Sequence, residues 1–549
     1  MIFKTWFLVT FALCGLCANA FAVDLRVNGE PPLGAFGVDT VEHIHECAKL
    51  GMNLVYTYKA DFGKRQLDLN DPAGKAVAEH RMKVMYILAS RFTRVRLAKD
   101  IAPGDTTIPV IGMEAKSMEA FPEPGALNIE GEKIAYAART MDAFTGCKRG
   151  VEGTKPAAHG AGWLLCNSEK LKEEILAVKD SPNLWGFWQV DDARPNEGDS
   201  LREMARVIRQ YDRRADGTPY NHVIVMGVGG MVAMGNFSPG CCDALGIYLY
   251  PYRKGKLDQG TRRQLGYIAA RAKSLQPDIG LIGVYQAFAE ETSQSWKDMP
   301  KPEEVREDIL AYMQCGAVGA MGFIYHWQRP KGKPFGFSAW PEVCAAVAKV
   351  YDEIRTGQVK PGQPSLPKVE EWFQARMGPD AAPSAGIPIF DISDPKKMEQ
   401  LTKAHVKGRI TPEPFETGGH KYLARMSVPM YKKGDPDAQR WPGVTFRIEA
   451  KVLDFTDWSS FRYLEQPLYN PMDHTITLRL WLADSEGGGW ENFGVPIPPR
   501  TPVLLRLPIA EAALSANLQK VRHWMLWFNE PGEDITLYLG NPVLVGKRE

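Results

Sequence analysis

Eight short runs of β-branched and aromatic residues alternate with helical patterns across residues 31–360. The runs lack strict alternation of polar and apolar positions, which is typical of strands buried on both faces. Strand–helix units in this number and order predict an α/β fold, a closed (β/α)8 TIM barrel. The predicted strands are 33–38, 53–58, 83–88, 184–190, 222–228, 244–250, 280–288 and 320–327.

Two further segments depart from this strand–helix pattern. Residues 93–166, after the third strand, are rich in Gly, Pro and Thr with short alternating runs, and they predict a small β insertion. Pro, Gly and Ser mark a linker at 361–384, and strands with turns over 385–549 predict a β-sandwich. The barrel is therefore predicted to comprise residues 23–92 and 167–360.

Residues 1–22 have the pattern of a secretory signal peptide. A positive charge precedes the apolar run 5–16, and small residues follow at 18–22. The apolar run is short for a membrane span, and no later stretch reaches the required length. We expect cleavage after Ala20 or Ala22, a secreted or periplasmic chain, and no integral membrane segment after cleavage.

Charge and cysteine content narrow the classes of partner. The formal net charge is +1 and no run of Lys or Arg stands out, so we expect no nucleic-acid partner. The chain has nine cysteines, of which Cys14 and Cys17 belong to the predicted signal peptide, and no pair among the other seven has CxxC spacing. Cys147 and Cys166 flank one small segment, and the sequence allows either a disulfide between them or two free thiols. No nucleotide-binding motif and no set of metal ligands is present, so we expect no cofactor and no metal.

Carboxylates follow the fourth and seventh predicted strands. Asp191 and Asp192 end the fourth run, and Glu290 and Glu291 come just after the seventh. Strand ends of this kind form the site in (β/α)8 barrels, and paired carboxyl groups can cleave a glycosidic bond. Neighbouring strand residues point to opposite faces, so only one of the two aspartates is expected to face the cavity. These four residues are the catalytic candidates, with inverting and retaining geometries both open.

Aromatic and polar side chains at the predicted strand ends are candidate substrate contacts. The apolar face of a sugar ring packs on aromatic rings, although about half of these side chains could instead fill the top layer of the barrel. The candidates are Tyr58, Trp188, Tyr248, Tyr250, Gln286, His326 and Trp327.

With these residues in place, the barrel resembles the glycoside hydrolases of the large retaining (β/α)8 group. In that group an acid/base carboxylate follows strand four, a Tyr ends strand six, a nucleophile ends strand seven and a Trp ends strand eight. The resemblance implies Asp192 as acid/base and Tyr250 and Trp327 as sugar contacts. Gln286 occupies the nucleophile position, and an amide cannot form a glycosyl ester.

The other two modules carry resemblances of their own. Residues 146–154, with Ala-Ala-His at 157–159, resemble a β repeat of phage tail and fibre proteins, which implies a binding or structural role. Residues 454–458, 468–471 and 538–544 resemble the jelly-roll modules of bacterial polysaccharide-degrading enzymes, which implies carbohydrate binding.

Two functions remain open from the sequence. The first is a secreted glycoside hydrolase that acts on O-glycosidic bonds of a polysaccharide or oligosaccharide by carboxylate acid/base catalysis. The second is a non-catalytic carbohydrate-binding or cell-surface protein with a degenerate glycosidase barrel, which Gln286 favours. Whether Glu290 or Glu291 reaches the cavity that holds the aspartates discriminates between them.

Overall fold

A computed structural model describes most of the chain. Two catalytic candidates, Asp192 and Glu291, lie outside the described residues, as does the predicted signal peptide. The described residues are 23–88, 94–111, 121–191, 198–290, 292–293, 295–327, 335–362, 369–403, 409–417, 419–432, 441–447 and 456–546.

Eight parallel strands close into a barrel, which confirms the predicted fold class. Each strand pairs with its predecessor in the barrel, and the first pairs with the last through Leu33 and Ala320. The strands are β1 (Leu33–Ala35), β2 (Leu54–Val55), β3 (Lys83–Ile87), β4 (Leu184–Val190), β5 (Val223–Val228), β6 (Ala244–Tyr248), β7 (Gly280–Gln286) and β8 (Gly319–Phe323). Strands β1, β2 and β8 end three or four residues before the apolar runs do, because those runs continue into the buried loops above the barrel.

Helices surround the barrel as the periodicity predicts. They are α1 (Val41–Lys49), α2 (Ala60–Leu67), α3 (Pro72–Glu79), α4 (Glu169–Val178), α5 (Gly198–Tyr211), α6 (Met231–Met234), α7 (Gln259–Leu275), α8 (Pro302–Gln314) and α9 (Pro341–Arg355). Caps fix several starts: the Thr40 hydroxyl accepts from the backbone of His43, and Asp258 accepts from Gly260 and Thr261. Helix α2 forms because Phe62 and Leu67 bury one of its faces.

Large side chains fill the interior of the barrel. Trp188, on β4, is 1% exposed and packs edge-on against Phe36 and Tyr56. Neighbouring strands make room for this indole with glycines, since a Cβ on Gly246 would lie 2.4 Å from the Trp188 ring. The Trp188 indole therefore packs in the centre of the barrel, below the strand ends.

The insertion after β3 is a small antiparallel β module. Its seven described strands are Arg94–Leu97, Thr107–Ile111, Gly125–Ile129, Glu132–Tyr136, Ala138–Arg139, Ala143–Thr145 and Leu164–Cys166. His159 is buried between Glu130 and Glu132, at 2.9 and 2.8 Å, and Arg149 also contacts Glu132 at 2.7 Å. These charged groups compensate one another, so His159 contributes to the packing of the module.

The C-terminal residues form two antiparallel sheets packed face to face. One contains Gln374–Met377, Ile387–Pro388, Arg409–Thr417, His420–Val428, Tyr463–Tyr469, Pro502–Pro508, Ile535–Leu539 and Val543–Val545. The other contains Gly443–Arg447, Ile476–Asp484, Gly489–Ile497 and Val521–Trp527, and helices α10 (Pro395–Lys403) and α11 (Ile509–Ala512) flank the sheets. The Trp524 indole donates to Gln466 across the two sheets at 2.7 Å. Strand Gln374–Met377 lies inside the predicted linker, so that segment already belongs to the sandwich sheet.

Two further findings concern the cysteines and the helices. None of the seven described cysteines forms a disulfide, so the bond between Cys147 and Cys166 that the sequence left open is not formed. No helix among the described residues is long and apolar enough to cross a bilayer.

Candidate active site at the mouth of the barrel

A cavity of about 580 Å³ opens where the barrel strands end. Residues that follow β2, β4, β5, β6 and β7 form its wall, together with the last residue of β8. One lining residue, Glu491, comes from the sandwich. The lining residues are Tyr58, Asp191, Gly229, Gly230, Met231, Ala233, Tyr248, Leu249, Tyr250, Arg253, Thr261, Gln264, Trp296, Phe323 and Glu491.

Asp191 brings a carboxylate into this cavity. It follows β4 directly, and the Tyr58 hydroxyl donates a hydrogen bond to its Oδ2 at 3.0 Å. Burial, reinforced by the negative charge of Asp191, raises the pKa of Tyr58, so the phenol stays protonated and remains a donor. A donated hydrogen bond stabilises the ionised carboxylate. Asp191 is thus the described member of the predicted aspartate pair, and it faces the cavity.

Aromatic rings form one side of the cavity. Tyr250 stacks on Phe323 with centroids 5.4 Å apart and the planes 26° from parallel. Tyr248 lies beside Tyr250 at 6.1 Å, and Trp296 meets Tyr250 edge-on at 6.2 Å. Flat rings exposed to a polar cavity suit a ligand with both apolar faces and hydroxyl edges.

Polar side chains also line the cavity. Thr261 and Gln264 lie in the first two turns of α7, and Arg253 follows the end of β6. The Arg253 guanidinium lies over the Trp296 ring, 5.7 Å from its centroid. Hydroxyl, amide and guanidinium groups that line a cavity together with aromatic rings can bind the hydroxyl groups of a sugar.

Two predicted substrate contacts are packing residues, and both predictions are corrected. Trp188 lies inside the barrel below the cavity, held between Gly227 and Gly246. Gln286 is fully buried, with its amide bonded to the backbone N–H and carbonyl of Tyr252, each at 2.9 Å. The amide orders the loop after β6 and does not line the cavity.

His326 is also displaced from its predicted role. The strand ends at Phe323, so His326 lies three residues beyond it, with its ring 4.6 Å from that of His43 on α1. Its Nδ1 is 3.2 Å from the Ser338 hydroxyl. The ring thus contacts helix α1 and is not among the residues that line the cavity. Trp327 contacts Tyr58 edge-on at 5.5 Å and lies beside the cavity, where its role stays a prediction.

The glutamates after β7 do not supply a described carboxyl group to the cavity wall. The Glu290 backbone bonds to Trp296 and Ser293, which forms the turn that brings Trp296 to the cavity. Its side chain is not part of the lining. Glu291 lies outside the described residues, as Asp192 does. The sequence analysis made hydrolysis depend on a second carboxyl group in the cavity that holds the aspartates. Glu290 does not line that cavity, so a different residue has to supply this group if the site is hydrolytic.

Glu491 provides such a carboxyl group. It lies on strand Gly489–Ile497 of the sandwich and lines the barrel cavity together with Asp191. Burial raises the pKa of Glu491 to about 7. The cavity therefore holds one carboxyl group that accepts a hydrogen bond from Tyr58 and a second whose pKa lies close to neutral pH.

Sequence reasoning missed several lining residues. Phe323 was hidden because the apolar run of β8 continues to Trp327, and Trp296 falls in a loop without periodicity. Arg253, Gln264 and Glu491 give no local signal, since only folding brings them to the barrel mouth. The described residues contain no cluster of three or more His, Cys, Asp or Glu suited to a metal ion.

Comparisons with known proteins give only distant likenesses. No family model matches the chain. No curated protein matches it. A β-galactosidase from Halorubrum lacusprofundi aligns at 11% identity over 59% of this chain and 58% of its own, with a TM-score of 0.34. A pyruvate kinase from Cryptosporidium parvum aligns at 12% over 60% and 71%, with a TM-score of 0.31.

A family 11 carbohydrate-binding module from Clostridium thermocellum is also similar. It aligns at 12% identity over 26% of this chain and 85% of its own, with a TM-score of 0.19. Likenesses this distant carry no functional argument. The function therefore has to be inferred from the cavity itself.

Proposed function

We propose that this protein hydrolyses O-glycosidic bonds of a polysaccharide or oligosaccharide in the cavity at the barrel mouth. The observation that carries the proposal is the Asp191 carboxylate, hydrogen-bonded by Tyr58 and facing the same cavity as the Tyr250–Phe323 stack. An aromatic platform beside a carboxylate fits a sugar ring whose anomeric carbon must be stabilised as it develops positive charge.

In this proposal Asp191 is one of the two carboxyl groups that glycosidic cleavage needs. Its negative charge stabilises the oxocarbenium-like transition state, and Tyr58 holds it in position. Tyr250 and Phe323 support the ring, while Arg253 and Gln264 bind hydroxyl groups. Asp192 and Glu291 remain sequence-based candidates for the same chemistry.

A second function is favoured by a specific observation. By its resemblance to retaining glycoside hydrolases, Gln286 takes the nucleophile position, and its amide is bonded to the backbone of Tyr252. A barrel that binds sugars without cleaving them would carry such a substitution. The aromatic wall serves both functions, so only turnover separates them.

The experiment is a panel of insoluble and soluble polysaccharides incubated with the purified full chain. New reducing ends are quantified, and binding is measured in parallel by retention in affinity gels. Release of reducing ends from at least one polymer supports hydrolysis. Retention without release supports the binding function. If the chain is not retained by any polymer and releases no reducing ends, both functions are contradicted.

We also propose export and attachment to polymer. The apolar pattern of residues 1–22 supports cleavage by a signal peptidase, and the jelly-roll resemblance supports sugar binding by the sandwich. Expression of the whole sequence in a bacterial host, followed by fractionation and N-terminal sequencing, tests export. A mature chain that begins at Phe21 or Val23 outside the cytoplasm supports it, and an uncleaved cytoplasmic chain contradicts it.

A further inference from the structure

Glu491 belongs to the sandwich in sequence but to the barrel cavity in space. Building on the proposed function, we infer that Glu491 is the second catalytic carboxyl group, which donates the proton to the glycosidic oxygen opposite Asp191. The active site would then be complete only when the sandwich is docked on the barrel.

The local strand geometry directs Glu491 at the barrel. Its neighbour Trp490 is fully buried in the sandwich, where the indole nitrogen donates to Glu511 at 2.9 Å. Successive side chains of a strand point to opposite faces, so Glu491 points away from that core. The strand packs against α6, the short helix that follows β5. Glu491 thereby reaches the wall of the barrel cavity.

Specific contacts fix the sandwich in this position. Arg263 of α7 bonds to the buried Asp484 at 2.9 Å and to Glu486 at 3.0 Å. At the start of the same helix, a Cβ on Gly260 would lie 1.9 Å from the carbonyl oxygen of Gly487. Two backbones this close, with an ion pair beside them, hold the strand of Glu491 at a defined distance from the barrel.

The surroundings of Glu491 suit a proton donor. Among the described residues, its carboxyl group has no hydrogen-bond or ion-pair partner. It also borders a second cavity of about 570 Å³ between α7 and the sandwich. The other charged groups lining the two cavities are Arg96, Asp191, Arg202, Arg253, Arg271 and Glu511. Burial dominates over these charges and raises the pKa of Glu491 to about 7, so a protonated fraction persists near neutrality.

The chemical step balances as ordinary glycoside hydrolysis. The proton of Glu491 passes to the glycosidic oxygen, and the bond from that oxygen to the anomeric carbon breaks with its electron pair. The leaving sugar departs as an alcohol. Water supplies the hydroxyl group that the anomeric carbon keeps and the proton that Glu491 regains, while Asp191 stabilises the positive charge.

The test compares two substrates that differ in their need for a proton. One is a polysaccharide cleaved by the wild-type full chain, and the other is the 2,4-dinitrophenyl glycoside of its sugar, whose leaving group departs without protonation. For Glu491→Gln we expect kcat/KM on the polysaccharide to fall about 10²–10⁴-fold. On the dinitrophenyl glycoside we expect a loss of less than about tenfold, since general-acid assistance is no longer needed.

Controls separate this role from docking. Glu486→Gln weakens the contact with Arg263 but leaves the Glu491 carboxyl group in place. It should therefore lower kcat/KM on the polysaccharide and on the dinitrophenyl glycoside by the same small factor. Glu491→Asp keeps an acid and should recover part of the polysaccharide rate. Equal losses on both substrates for Glu491→Gln, or no loss on either, would overturn the inference.

The two proposals fail differently in this experiment. If polysaccharide hydrolysis survives Glu491→Gln but is abolished by Asp191→Asn, the catalytic role of Glu491 is rejected and the proposed function stands. A wild-type chain that hydrolyses neither the polymers nor the aryl glycoside removes the proposed function, and the role of Glu491 with it.

Discussion

The hydrogen bond between Tyr58 and Asp191 is the central polar contact of the cavity. The phenol is partly buried among aromatic rings and does not ionise readily beside a carboxylate, so it acts as a fixed donor. A fixed donor holds the carboxylate in one orientation and lowers the reorganisation that the reaction requires. The effect of this contact should appear in turnover more than in folding.

Tyr58→Phe tests this contact. We expect kcat to fall about 10-fold or more, because an oriented hydrogen bond to a charged group contributes about 1.5–3 kcal/mol. Reducing-end release measured against substrate concentration gives kcat and KM separately. The control is Tyr220→Phe, which removes an exposed hydroxyl that bonds to Asp180 at 2.7 Å. Equal kcat values for the two variants would contradict the assigned role.

The protonation of Glu491 predicts how stability depends on pH. Its pKa is raised from the usual 4.5 to about 7, so the folded chain holds this proton more tightly than the unfolded chain does. The free energy of unfolding should therefore contain a contribution that is present below about pH 4.5 and is lost as pH rises to about 7. Glu491→Gln should remove that contribution, so urea unfolding from pH 4.5 to 8 should give a flatter profile than the wild type. Parallel profiles would contradict a raised pKa.

At the scale of elements, buried strands determine what lies in the cavity and what lies below it. Trp188 is a barrel residue because Gly227 and Gly246 leave space for its ring on the neighbouring strands. Trp296 lies in the loop after β7 and reaches the cavity. The two indoles should therefore respond differently to truncation.

Trp188→Ala should destabilise the chain by about 3–5 kcal/mol through the cavity that it leaves in the core. Trp296→Ala should change stability much less and should raise KM for the polysaccharide, since it removes part of the wall. Thermal unfolding and substrate titrations of both variants distinguish these outcomes. A stable Trp188→Ala chain with a raised KM would restore the sequence-based prediction that Trp188 binds sugar.

The same elements explain how far the sequence could be interpreted. β4 spans the predicted residues 184–190 because buried positions fill it and a polar residue, Asp191, follows it. The end of β8 was misplaced by four residues, because residues 324 and 325 are apolar and buried beyond the strand. That shift put His326 and Trp327 at the strand end and hid Phe323. Glu491 could not be predicted, because no local pattern reports which face of a distant sandwich meets the barrel.

At the scale of the whole molecule, the barrel and the sandwich share one site. Helix α7 contributes Gln264 to the cavity and Arg263 to the sandwich contact, so it connects the two. The close approach of Gly260 to Gly487 leaves no space for a side chain between them. Separation of the two modules should therefore reduce turnover even if each stays folded.

Gly260→Ala tests this coupling. The new methyl group would meet the Gly487 backbone, so we expect turnover to fall at least several-fold and the two modules to unfold at separate temperatures in calorimetry. The control is Gly266→Ala in the same helix, where nothing lies within 4 Å of an added Cβ. That variant should be neutral or more stable by up to about 1 kcal/mol. Identical behaviour of the two variants would contradict the coupling.

The ratio of kcat/KM between the wild type and Asp191→Asn tests the central claim most directly. Asp180→Asn is the matched control, because Asp180 also accepts from a tyrosine hydroxyl but precedes β4 at the other end of the barrel. On a cleaved polysaccharide, Asp191→Asn should lower kcat/KM by about 10²–10⁴-fold, and Asp180→Asn should leave it unchanged. Full activity of Asp191→Asn would contradict the account of the barrel mouth as a glycoside-cleaving site.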